Sequence, residues 1–82
     1  MEQGEAVLAE ALLRRALAID PGHIEARYNL GVVLQSARRD AEAIAPFEAV
    51  LERDPAHRGA RLNLGVALRT VGRVKDALAI WA

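Results

Sequence analysis

The chain has 82 residues, 52% of them hydrophobic, with one Phe, one Tyr, one Trp and no Cys. A single domain of this size buries only about 60% of its unfolded surface, its core is built of Ala, Leu, Val and Ile, and disulfides, thiolate chemistry and cysteine zinc sites are excluded. Eleven Lys and Arg balance eleven Asp and Glu, so no global field steers it to nucleic acid or to a membrane surface.

Strong helix formers without strand-like alternation predict an all-α chain. Within Glu5 to Ile19, Leu8, Leu12 and Ala16, with Leu13 and Leu17 beside them, follow the spacing of one helix face. Asp20-Pro21-Gly22 ends that helix, since proline disfavours helical geometry in the residue before it and glycine permits the reversal. A second helix, Glu25 to Ala37, carries Leu30, Val33, Leu34 and Ala37 on one face. After the turn Arg38-Arg39-Asp40, with Asp40 as N-cap, a third runs from Ala41 to about Arg53. Pro46 lies inside it and predicts a kink near Glu42, while Phe47, Val50 and Leu51 carry the apolar face onward. Asp54-Pro55-Ala56 ends it. A fourth helix runs from Arg58 to about Val71 with Leu64, Leu68 and Val71 facing inward, and Gly72 breaks it. A fifth starts near Val74 and uses Ala77, Leu78 and Trp81, giving five antiparallel helices.

The chain also matches itself. Asp20-Pro21 lies 34 positions before Asp54-Pro55, and the same offset brings Asn29-Leu30-Gly31-Val32 onto Asn63-Leu64-Gly65-Val66, His23 onto His57, Arg27 onto Arg61 and Ala43 onto Ala77. A fixed period of this kind marks an array of small units, each dependent on its neighbours to bury an apolar face. Function is then expected on a surface and not in a catalytic pocket.

These residues resemble the tetratricopeptide repeat family. The pattern reads Ala26-Arg27-Tyr28-Asn29-Leu30-Gly31, Leu34, Ala43, Phe47, Asp54-Pro55, and again Ala60-Arg61-Leu62-Asn63-Leu64-Gly65, Leu68, Gly72, Ala77, Trp81. Gly4, Ala9, Leu13, Ala16 and Asp20-Pro21 match a helix B. The resemblance implies a right-handed solenoid of antiparallel A and B helices. One domain, 1–82, would hold a lone B helix (4–23), a complete repeat (24–57) and a partial one (58–82). Gly31 and Gly65 would allow close crossing opposite Ala43 and Ala77. The pattern departs from the family at Arg27 and Arg61, where a large apolar residue is common, at Arg38, where Gly is common, and at Val50, where a small residue is. Arrays generally need about three repeats, so the chain is expected to be part of a longer array, or to self-associate through its terminal helices, with Trp81 otherwise largely exposed.

Sites of chemistry are not evident. His23 and His57 fall in equivalent loops, but zinc needs three or four ligands and no carboxylate cluster joins them; no metal and no cofactor is expected. Ser36 and Thr70 end the two A helices without a histidine spaced to activate them. Gly31, Gly65 and Gly72 lie within or after helices, so none opens a phosphate-cradling loop. The stretch from Pro55 to Lys75 holds Arg58, Arg61, Arg69, Arg73 and Lys75 with no acidic residue, whereas Glu2, Glu5 and Glu10 make the start acidic. A charge run is usually a solvated face, and no aromatic interleaves this one to stack a base. Neither nucleic acid nor a membrane is an expected partner. The start Met1-Glu2-Gln3-Gly4-Glu5 lacks an apolar run, and no stretch approaches the ~20 apolar residues of a spanning helix, so a cytoplasmic, non-enzymatic protein is expected.

In resembling proteins the A helices line a concave face that takes extended peptides. Carried over, that face presents Tyr28, Asn29, Val32 and Gln35, with Glu25 and Ser36, and Leu62, Asn63, Val66 and Arg69, with Thr70. Helical spacing independently puts Tyr28, Val32 and Gln35 on one stripe, and Leu62, Val66 and Arg69 on another. Asn29 and Asn63, each offering a donor and an acceptor, would form a ladder along a peptide backbone, as in the repeat superhelix of the O-linked N-acetylglucosamine transferases. Val32 and Val66 replace the Asn of the carboxylate clamp found in some members, and Arg69 would favour an acidic partner.

Overall fold

A computed structural model describes residues 3–82; Glu2, part of the acidic start, lies outside the described residues. Five helices follow in order: α1 (Gln3–Ile19), α2 (Ile24–Ser36), α3 (Asp40–Arg53), α4 (Arg58–Thr70) and α5 (Val74–Trp81). Among the described residues there is no strand, as composition predicts. Short turns set each helix beside the next. Among the described residues, of the helices two apart only α2 and α4 touch; α1 and α3, and α3 and α5, do not. The array is therefore curved, with α2 and α4 as its inner row, within extents of 33 × 27 × 15 Å.

Helix starts depend on the repeated histidines. His23 and His57 adopt extended backbone geometry, and Nδ1 of each accepts from the backbone N–H three residues on, of Ala26 and Ala60, at 3.0 Å. Each ring thereby satisfies a donor that the first turn leaves unpaired. Asp40 does not play this part at α3. Arg39 is the N-cap residue and makes no side-chain cap, while Asp40 opens the helix, where with Glu42 it complements the positive end of the dipole. α3 runs unbroken through Pro46, which is buried. The Glu42 carbonyl four residues earlier belongs to an exposed residue within reach of water.

The ends of α2 and α4 are Schellman turns. Arg38 N–H donates to the Gln35 carbonyl and Arg39 N–H to that of Leu34, at 3.0 and 2.8 Å; Gly72 and Arg73 repeat the pair onto Arg69 and Leu68 at the same distances. Both turns need a left-handed residue. Gly72 supplies it at φ +89°, whereas Arg38 is held at φ 62°. A side chain there costs about 1–2 kcal/mol, and Arg38 is exposed. Arg38→Gly is therefore expected to raise stability by about 1 kcal/mol, measured as a higher urea midpoint at unchanged m-value; a fall would show that the Arg38 side chain holds something the geometry does not reveal.

The core is one cluster built from Leu30, Leu34, Ala43, Ile44, Phe47, Val50, Ala60, Leu64, Ala67, Leu68 and Ala77. No buried side-chain polar atom among the described residues lacks a partner. α1 departs from its expected face. Ala6 is buried and Leu13 and Leu17 pack on the core, but Leu8 and Leu12 are 61% and 56% exposed, on an outer face shared with Val7 and Ile19. A helix apolar nearly all round has no single stripe for spacing to select. Val71 and Leu78, also expected inside, are exposed, because Val71 is the cap residue after α4 and no further helix covers α5.

The atoms nearest to Gly31 and Gly65 belong to rings, those of Phe47 and Trp81. A Cβ at Gly31 would lie 2.6 Å from Phe47 Cε1, and one at Gly65 would overlap the Trp81 indole. Phe47 is fully buried, whereas Trp81, lying over Gly65, is 38% exposed. At the other end, Arg39 donates to Glu10 and to Glu42, fastening α1 to the turn before α3. Hydrogen bonds from Arg39 first, then Arg14, hold the Glu10 carboxyl below the usual carboxylate range.

Candidate functional site

The seam between α2 and α4 gathers most of the residues assigned to the concave face. Tyr28, on α2, is half-buried with its ring 4.7 Å from that of His57 and 5.9 Å from that of Phe47. Gly59 leaves room for its hydroxyl, which a Cβ would approach to 2.6 Å. Asn63 Nδ2 donates to that hydroxyl at 3.3 Å, and Gln35 Nε2 donates to the Asn63 carbonyl at 3.0 Å. Tyr28 and Gln35 thus fasten the two inner helices together at one residue, Asn63.

That bonding makes the repeated asparagines inequivalent. Asn29 is exposed, with both amide functions free of side-chain bonds among the described residues, whereas Asn63 is half-buried and directs its amide donor to Tyr28. The two repeated amides therefore differ, the Nδ2 of Asn63 being engaged by Tyr28 and that of Asn29 by no side chain among the described residues. The difference comes from Tyr28 on the preceding inner helix: Asn63 reaches its hydroxyl 35 positions back, an offset at which Asn29 has no counterpart in this sequence.

Val32 and Val66 are half-buried along the same stripes, and Leu62 is 60% exposed. Arg69 is exposed with its guanidinium 5.8 Å from the centre of the Trp81 ring, a cation–π contact. Trp81 Nε1 donates to the Leu62 carbonyl at 3.4 Å, so Leu62, Arg69 and Trp81 form one group at the α4–α5 end. Sequence reasoning did not place Trp81 beside the concave residues. Its offset of 34 from Phe47, which touches Tyr28, was the available signal. Beside it Arg58, Arg61, Leu62, Ile80 and Trp81 line an open pocket of about 280 Å³.

Among the described residues no cluster of three or more His, Asp or Glu is arranged to hold a metal, and no helix is long and apolar enough to cross a membrane. His23 and His57 have the Nδ1 atoms occupied as caps.

Two profiles described as tetratricopeptide repeat match the sequence, one over residues 1–45 and the other over residues 28–82. The chain belongs to the tetratricopeptide repeat family. Its all-helical fold is that of a tetratricopeptide repeat solenoid, and it is similar to the solved structure titled "Crystal structure of MamA protein", with a TM-score of 0.88 and 27% identity. The match covers 94% of this tetratricopeptide repeat chain and 42% of the other, so the chain spans less than half the length of that structure. No curated protein sequence matches it. Membership in the family indicates a protein–protein interaction module.

Proposed function

We propose that this tetratricopeptide repeat chain is a non-catalytic module that binds an extended segment of a partner protein along the inner row formed by α2 and α4. The observation that carries the reading is that Asn29, exposed and without a side-chain bond among the described residues, stands beside a seam held by the hydrogen bonds of Tyr28, Gln35 and Asn63. A peptide laid there meets one free amide, the half-buried Val32 and Val66, and the exposed Leu62 and Arg69. An amide that can donate and accept engages backbone without selecting side chains, while Arg69 favours an acidic residue. We read 24–57 as the complete repeat, with 4–23 and 58–82 as partial units on either side.

Linear peptides selected on the immobilised chain and titrated by calorimetry provide the test. Asn29→Ala is expected to weaken the tightest of them about fivefold, the worth of one hydrogen bond, and Val66→Asp to weaken it more. Unchanged affinity for both variants would remove the groove from the account.

A second reading, self-association through the terminal helices, is favoured by the exposed Val7, Leu8, Leu12 and Ile19 of α1 and the exposed Val74 and Leu78 of α5. A mass in solution that rises with concentration, and returns to that of one chain in Leu8→Glu/Leu12→Glu, would support it.

A further inference from the structure

The two repeated caps are made from the side chain that ordinarily changes charge between about pH 5 and 8. Nδ1 of His23 and of His57 accepts the backbone N–H of Ala26 and of Ala60, each at 3.0 Å. An acceptor needs a lone pair, so the bond assigns each ring as neutral with its proton on Nε2. Protonation at Nδ1 would turn the acceptor into a donor aimed at another donor. An asparagine cap has no such second state.

The surroundings offer an imidazolium little in return. Asp20, Glu25 and Arg27 lie near His23 in the chain, and Arg53 of α3 reaches the same turn with its guanidinium beside Gly22. Asp54, Arg58 and Arg61 flank His57, and from α2 the Tyr28 ring lies 4.7 Å away. Among the described residues no carboxylate forms an ion pair with either ring. Asp54 Oδ1 accepts instead from the Ala56 N–H, at 3.3 Å. A charged ring would also stand at the positive end of the helix that it begins.

The two caps are unequal. The first turn of α2 holds Glu25, while that of α4 holds no acidic residue. His23 is exposed, whereas His57 is half-buried with its ring on Tyr28. His57 also fixes the turn in which Gly59 makes room for the Tyr28 hydroxyl, the group that accepts from Asn63 across the seam.

We infer that His57, with a smaller part for His23, is a pH-sensitive latch on the inner row. Neutral, it fixes the first turn of α4 against α2; protonated, it releases that turn and loosens the seam. The unfolded chain, with both lone pairs free, binds the more protons, so stability is greatest at neutral pH and falls as the pH drops through the range where histidine titrates. Glu10 and Glu42 stay ionised over that range, held below the usual carboxylate values by hydrogen bonds from Arg39. The inference does not rest on the peptide groove, and no ligand enters its test.

Thermal denaturation is compared at about pH 7.5 and about pH 5.5, on either side of the ordinary histidine titration. The melting temperature of the unmodified chain is expected to fall by about 4–8 °C, the worth of roughly one lost cap. His57→Asn keeps a cap that does not titrate and is expected to remove most of the fall; His23→Asn removes less, and the double variant removes nearly all of it. At the lower pH the Ala60 amide is expected to exchange faster in the unmodified chain than in the double variant. Imidazole nitrogen chemical shifts of the unmodified chain at the higher pH need no variant to fold, and are expected to show the Nε2–H tautomer at both rings. A melting temperature that rises on acidification would mean that attraction of the imidazolium to the Tyr28 face outweighs the lost cap, and would overturn the inference. So would an unchanged melting temperature, an equal fall in the double variant, equal exchange at Ala60, a fall abolished by His23→Asn alone, or the Nδ1–H tautomer at His57.

Discussion

Phe47→Ala is expected to lower the melting temperature by more than about 15 °C, and to leave much of the chain unfolded under mild conditions. Phe47 is fully buried, its ring lies against Gly31 and 5.9 Å from that of Tyr28, and it sits where α2, α3 and α4 meet. Removing such a ring costs about 3–5 kcal/mol, the transfer loss plus the cavity left behind. Domains of this size have on the order of 4–12 kcal/mol in total, and each kcal/mol moves the melting point by about 4–8 °C. Trp81→Ala, at the equivalent place 34 residues on, is expected to cost much less, since that indole is 38% exposed and covers one helix pair only. Thermal denaturation followed by circular dichroism compares the two; a loss at Trp81 as great as that at Phe47 would mean that α5 matters as much to the fold as α3.

The second large effect is a contrast between two glycines that the repeat makes equivalent. Gly31→Ala is expected to destabilise by about 1–3 kcal/mol, because the added methyl would lie within 2.6–2.9 Å of a ring enclosed on every side. Gly65→Ala meets an even closer ring, but Trp81 lies at the margin and can turn outward. The loss of its packing there is offset by the gain of up to about 1 kcal/mol from replacing a mid-helix glycine. The expected result is near neutrality in urea denaturation, together with red-shifted Trp81 emission as the indole moves into water. Equal losses at the two glycines, with emission unchanged at Gly65→Ala, would show that the indole is held as firmly as the phenyl ring.

The period of 34 made the fold legible, because Asp-Pro pairs, glycines and apolar spacing all pointed to helices of one length joined by short turns. Helix ends moved by no more than two residues: α1 starts at Gln3 in place of Glu5, and α2 ends at Ser36 with Ala37 as its cap. The outer face of α1 was not legible, since Leu8, Leu12, Leu13 and Leu17 are alike in hydropathy and only packing against α2 distinguishes them. Arg38 was recognised as standing where glycine is usual, but its left-handed φ follows from the Schellman bonds that close α2 and not from the arginine itself. Of the candidate surface, the two stripes were readable from helical spacing. The inequivalence of Asn29 and Asn63 was not, because it depends on a hydroxyl on another helix meeting an amide across a gap that sequence does not measure.

Among the described residues, the inner-row contact between α2 and α4 is the only one joining helices that are not consecutive in the chain. Nothing in the array therefore waits for a distant segment to arrive, and short loops close first, the condition under which helical proteins fold fastest. Any adjacent pair can form and recruit the next. The reverse also holds: α5 can come away with only its contact to α4 broken, and α1 with its contact to α2 and the Glu10–Arg39 pair. Under stress this molecule shortens from its ends while the helices around Phe47 persist.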